Sequence, residues 1–289
     1  FCSFVSSFTS ILVEFRRQSV LLTCLISSIQ CSTCSIFSRT VTSTIVASEA
    51  EGVSLLDMVT EGCATADAQH KGSSTVVALQ ALNARELAGV NMGDSGYTLF
   101  HVTADGKLEQ YHQSESLQRM FNFPYQCNSD LPAEHAKEET IEFADGDVVF
   151  MYSDGFIDNV YFDKPEMLAC VENEIAGGLV GSLSKAADCL AHYCYDLSKD
   201  ASYKSPFEAE YERAFKSGEK MNHYPSPDDP FLGGKKDDIT ITVAQVFRGP
   251  SDDPRRQLAA QDTYFTESKT IYTAAMMGIQ EVKDEFALA

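Results

Sequence analysis

At 289 residues, 44% of them apolar, the chain can hold one large domain or two small ones and can bury a sizeable core. Its formal charge of -20 argues against nucleic acid or an anionic membrane as the main partner, and phosphate chemistry here would need bound metal to reverse the local sign. Nine Cys over this length make no disulfide scaffold, and those scattered singly after the N-terminal part read as buried thiols in a reducing compartment.

Residues 1–48 differ from everything that follows. They are rich in Ser, Thr, Cys and Phe, and set Arg16, Arg17 and Arg39 against Glu14 alone. The chain opens on Phe, so its true start is expected to lie upstream. The apolar run Ser19 to Ile29 is too short to span a membrane and resembles a signal or transit segment only loosely. Cys31 and Cys34 have metal or redox spacing, but without a second pair or a nearby His the signal is weak. The simplest expectation is a segment foreign to the fold, either a targeting piece or imperfect gene sequence.

A globular pattern starts at Glu49. Val53, Leu55, Leu56, Met58, Val59 and Cys63 recur at helical spacing and predict a helix over 52–66. Strands are expected at 75–82, 85–92, 97–103 and 108–113, with the loop Gly93-Asp94-Ser95-Gly96 and a hairpin turn at Ala104 to Lys107 between them. Tight turns between consecutive strands imply an antiparallel sheet. A long polar surface connection, 114–137, precedes two more strands at 139–143 and 147–153. The second of these, with Val148 to Tyr152 bounded by Gly-containing turns, reads as buried and stops at Asp154-Gly155. Helices are expected over 164–176 and 182–197, then a Pro-, Gly- and charge-rich excursion over 200–236 and a β-branched strand over 239–247. The tail, 248–289, carries a charged linker and a weakly amphipathic helix around 266–286.

Three carboxylates share a setting. Asp94 lies in a Gly-flanked loop, Asp154 follows the end of a strand, and Asp237 precedes the start of one. Oxygen ligands of this kind suit Mg²⁺ or Mn²⁺, and two such ions would generate a hydroxide and clamp a phosphoryl group. Singly, each Asp is better read as a turn residue or a solvated charge, and together they matter only if the sheets bring them to one edge. The tetrapeptide Gly93 to Gly96 also suggests a serine-protease nucleophile loop. That reading fails because Tyr97 follows and His70, in a polar setting, is the sole His before Ser95.

Four ordered blocks carry a family resemblance: GSSTVVALQ (72–80), VNMGDSGYTLF (90–100), DGDVVFMYSDGFIDNV (145–160) and GGKKDDITITVAQV (233–246). Together they resemble the type 2C metal-dependent protein phosphatases, the PPM family. FNFPYQ (121–126) and YKSPFEAEY (203–211) are similar to its mitochondrial coenzyme-Q branch. The resemblance spans about 50–247 and implies an α+β fold, an α/β/β/α sandwich of two antiparallel sheets flanked by helices. It implies that Asp154 and Asp237 are catalytic metal ligands, that Gly155 allows close approach of backbone to the metal site, and that Asp94 stands at a weaker additional site. The implied cofactors are two Mn²⁺ or Mg²⁺ ions, and the implied reaction is hydrolysis of phosphoserine or phosphothreonine in a phosphoprotein by metal-bound water.

The family's Asp-Gly-x-Gly-Gly block, expected before Gly72, is missing. The segment standing there has no Asp before Asp57. The bridging carboxylate and the first strands of the sandwich are therefore expected to be absent, and the chain as written to have little activity although an intact parent would be active. The rival reading is a pseudophosphatase that binds partners without turnover. The branch resemblance and the basic, acid-poor start point to mitochondria or plastids, with the cytoplasm as the alternative; no nucleic acid and no stable membrane span are expected.

Overall fold

The computed structural model describes residues 21–26, 32–48, 52–128, 130–175, 183–219 and 232–246. The expected tail helix and residues 1–20 lie outside them. In chain order the elements are β1 (Leu21–Ile26), α1 (Ser32–Ala47), α2 (Leu55–Gln69), β2 (Thr75–Ala81), β3 (Glu86–Met92), β4 (Gly96–Val102) and β5 (Leu108–Gln113). They continue with β6 (Gln118–Met120), β7 (Phe123–Pro124), α3 (Pro132–His135), β8 (Lys137–Glu142), β9 (Val148–Tyr152) and α4 (Asp154–Ile157). Last come α5 (Pro165–Glu172), α6 (Leu183–Lys199), α7 (Pro206–Ser217) and β10 (Ile241–Gln245).

Two four-stranded antiparallel sheets result, β1-β2-β3-β8 and β10-β9-β4-β5. The period-2 alternation of the strands sorts their side chains into layers. On β2, Val76 and Ala78 meet α1 and α2, whereas Val77 and Leu79 join Leu99, Val149 and Met151 between the sheets. On β9, Phe150 and Tyr152 turn to the other side, against Met167 and Val171 of α5 and Leu190 and Cys194 of α6. This is the expected α/β/β/α sandwich. β9 is buried along its whole length, as its unbroken apolar run requires.

Sequential strands do not all pair. β3 ends in one sheet and β4 begins in the other, so the loop Gly93-Asp94-Ser95 carries the chain across the sandwich instead of closing a hairpin. The polar connection after β5 is not featureless, since β6 and β7 form a small hairpin and α3 follows. The excursion after α6 contains α7, opened by the Ser205 hydroxyl, which accepts from Glu208 N–H at 3.1 Å, and closed by left-handed Gly218.

Two expectations are corrected. The segment read as foreign contributes to the fold: β1 extends the first sheet by pairing along β2, and α1 packs on α2. Phe37, Val41 and Ile45 recur every fourth residue on α1 and are fully buried, a stripe obscured by the Ser and Thr between them. Nor are the scattered cysteines all thiols. Cys63 of α2 is bonded to Cys127, and Cys170 of α5 to Cys189 of α6, while Cys194 remains a buried thiol. Spacing carried no sign of either bond, because partners 64 and 19 residues apart are brought together by helix packing.

Several tyrosines are locked into the sandwich. Tyr97 donates to Glu139 Oε1 at 2.5 Å, Tyr111 to Asp147 Oδ2 at 2.9 Å, and the Tyr152 hydroxyl lies 2.9 Å from Thr98 Oγ1. Burial pushes all three phenols up, Tyr152 to about 12. A phenol held above its unfolded value of about 10 leaves stability intact below that pH and removes it as pH rises through the folded value. In an alkaline titration followed by tyrosinate absorbance, these three should stay silent at pH 11 and ionise only with unfolding. A smooth titration of every tyrosine near pH 10 in the folded protein would contradict this burial.

Candidate metal centre

Sheet register assembles the site. β9 lies between β4 and β10, and its last residue, Tyr152, is paired with Gly96 on one side and Ile241 on the other. Asp94 just before β4, Asp154 just after β9 and Asp237 just before β10 are therefore delivered to the same edge. Two buried polar side chains stitch this edge together. Ser153 Oγ accepts from Thr240 N–H at 2.9 Å and donates to the Asp238 carbonyl at 3.0 Å. Asn159 donates to the carbonyls of Gly155 and Lys235 at 2.8 and 2.9 Å, and accepts from Lys235 N–H at 2.8 Å. The Asp154 turn and the Asp237 turn are thereby held face to face.

At their centre is a cation that the sequence reading did not single out. Lys235 Nζ lies 2.9 Å from Asp154 Oδ2, 2.7 Å from Asp158 Oδ2 and 3.0 Å from Asp237 Oδ2. Its side chain is only 8% exposed, against 24–31% for the three carboxylates. Asp158 was missed as well. Both had a spacing signal: Asp158 follows Asp154 by four residues, one turn of α4 away, and Lys235 precedes Asp237 by two in an extended stretch, where alternate side chains share a side.

The electrostatics follow from burial and crowding. Asp94, almost fully buried, is driven well above the usual carboxylate range by loss of water, then by the charges of Asp154 and Asp158. Burial also raises Asp158, to about 6, with Lys235 opposing and Asp154 adding to the shift. Asp237 is raised by burial and by Asp154. Burial would raise Asp154 too, but Lys235 and the Gly155 N–H, 2.8 Å from Asp154 Oδ1, hold it below its ordinary value. The Lys235 ammonium is itself raised well above normal, because Asp154, Asp158 and Asp237 outweigh the cost of burying it.

Of the four residues expected at the metals, three converge. Asp154 and Asp237 share one cation, and Asp94 lies within their field. Gly155 allows the close backbone approach expected of it. Its carbonyl accepts from Asn159 Nδ2 and from the Cys194 thiol at 3.4 Å, and what it supplies to the site is close packing. A Cβ there would sit 2.4 Å from the Asp238 carbonyl oxygen.

The donor set fits a divalent cation in kind, since all of its oxygens are carboxylate and three already converge on one positive charge. In the arrangement present they close on an ammonium, and among the described residues no group of three such side chains is gathered ready for a metal ion. One ammonium also leaves the four carboxylates Asp94, Asp154, Asp158 and Asp237 short of positive charge.

No family model matches the chain. Curated proteins do match it: a probable protein phosphatase 2C of rice, BIPP2C1, is 30% identical over 181 residues, 62% of this chain and 28% of the rice protein. The protein phosphatase PTC7 homolog fig of Drosophila willistoni is 34% identical over 190 residues, 61% of this chain and 53% of the fly protein. Over about three fifths of its length the chain is thus similar to protein phosphatases 2C. It spans roughly a quarter to a half of the length of the relatives it matches. The photosystem II phosphatase PBCP shares the fold, with a TM-score of 0.57 at 19% identity over 80% of this chain and 92% of that one. Among the described residues, no helix is long and apolar enough to cross a membrane.

Proposed function

We propose that this protein hydrolyses phosphoserine and phosphothreonine in phosphoproteins with water activated by divalent metal, Mn²⁺ or Mg²⁺. The observation that carries the proposal is the convergence of Asp154, Asp158 and Asp237 on one cation, at the edge where family signatures from distant parts of the chain meet. Asp154 and Asp237 would hold the metal, with Asp158 on the same cation beside them and Asp94 within their field. When bound, such ions supply a water of lowered pKa and a clamp for phosphoryl oxygens.

The chain's own residues argue for water as the nucleophile. The Ser153 hydroxyl is engaged as donor and acceptor in the stitch to β10, and the Cys194 thiol is buried and pushed up in pKa. Neither is available to form a phosphoenzyme. Asp154 stays ionised through neutral pH, and an ionised carboxylate is what a hard cation requires.

The test is Mn²⁺-dependent phosphate release from a phosphothreonine peptide. With no Asp-Gly-x-Gly-Gly block in the chain, release is expected to be weak. Asp154→Asn should lower what there is by about 100-fold or more, since disturbing even a residue behind a metal ligand costs about 10–100-fold. Release that persists in Asp154→Asn would refute the assignment of this carboxylate. Mn²⁺ binding with no turnover in either protein would instead favour a non-catalytic binding domain. The similarity of 121–126 and 203–211 to the coenzyme-Q branch belongs to the same proposal, and these two blocks do meet: Phe121 packs on Phe207 and Tyr211.

A further inference from the structure

Lys235 is the most heavily constrained side chain at the site. Its backbone is clamped on both sides by Asn159, its ammonium touches three carboxylates, and Asn122 Oδ1 lies 3.4 Å away. The face of Phe207, 4.8 Å from Nζ to ring centroid, covers it from the side. Phe207 is held in turn by Phe121 and Tyr211. The β6–β7 hairpin and α7 thus form a wall that presses this ammonium onto the carboxylates.

We propose that Lys235 is a positioning residue, a tethered counter-cation that keeps Asp154, Asp158 and Asp237 converged without metal and must leave them for a divalent ion to bind. The inference rests on the metal-dependent reading of this site and adds the competition to it. Three carboxylates that all stay ionised around a common point repel one another unless a positive charge occupies it. A metal ion needs the same oxygens that now receive the ammonium, so the two cations exclude each other. Lys235 would therefore lower the affinity of the site for metal while raising the stability of the metal-free protein.

The test uses the whole chain, with Mn²⁺ as the probe. In EDTA, Lys235→Gln should melt below the wild type, and titration calorimetry should show it binding Mn²⁺ at least 10-fold more tightly. A residue that only props up the fold would weaken Mn²⁺ binding when replaced. Equal or weaker binding by Lys235→Gln would thus overturn the inference while leaving the metal reading intact. Failure of both folded proteins to bind Mn²⁺ would overturn the metal reading and the inference with it. Should Lys235→Gln not fold, reductive methylation of the wild type followed by mass spectrometry decides the matter. Lys235 should be modified several-fold faster in Mn²⁺ than in EDTA, and an unchanged rate would reject the displacement.

Discussion

Gly155→Ala is expected to destabilise the protein by about 3 kcal/mol or more and to abolish Mn²⁺ binding. An added Cβ would lie 2.4 Å from the Asp238 carbonyl oxygen, 2.9 Å from its carbon and 3.2 Å from Asp237 Cβ. Two of those atoms are backbone, so no side-chain rotation relieves the clash, and overpacking of this kind typically costs about 1–3 kcal/mol, occasionally more. Relief requires the Asp154 and Asp237 turns to separate, which breaks the Ser153 and Asn159 hydrogen bonds between them. Urea unfolding followed by circular dichroism, with a calorimetric Mn²⁺ titration, measures both consequences. A variant with the wild-type midpoint and unchanged metal affinity would show that the two turns are not so closely packed.

Phe150→Ala should cost about 4 kcal/mol. Phe150 is fully buried at the centre of β9, with Phe100 and Phe162 at ring-centroid distances of 4.8 and 6.3 Å. Truncating a buried Phe removes its transfer free energy and leaves a cavity, about 3–5 kcal/mol in all. Because β9 is hydrogen-bonded to β4 on one side and β10 on the other, the strand cannot shift to fill that space. Against a total stability of about 5–15 kcal/mol the loss is large, and a melting temperature lower by about 10 °C is the expected reading. A drop of only one or two degrees would mean that the helices collapse freely onto the sheet.

Much of the sandwich was legible beforehand, for physical reasons that differ by element. Strands β2 to β5, β8, β9 and β10 alternate or run apolar between turn residues, so their existence rests on side-chain chemistry within a few residues. The stripe of α6 was legible in the same way. α1 was not, because Phe37, Val41 and Ile45 stand among Ser, Thr and Cys whose composition suggests no core. The Cys63–Cys127 bond was equally invisible, since it depends on where α2 comes to rest. Of the candidate ligands, Asp94, Asp154 and Asp237 stood out by their positions at strand ends, while Lys235 lay unremarked in a charged run. Whether a lysine in such a run is a solvated charge or a buried one depends on what covers it, here Phe207 from another part of the chain.

The sequence by itself determined where strands begin and end and which acidic residues stand at their ends, because turn chemistry and side-chain period act over a few bonds. Only the tertiary structure decided that β3 and β4 part into different sheets and that Gly96, Tyr152 and Ile241 fall into register. It alone placed a lysine where the carboxylates converge. Those outcomes depend on burying both faces of β9 at once and on opposing charges meeting out of water, conditions set by segments some eighty residues apart in the chain.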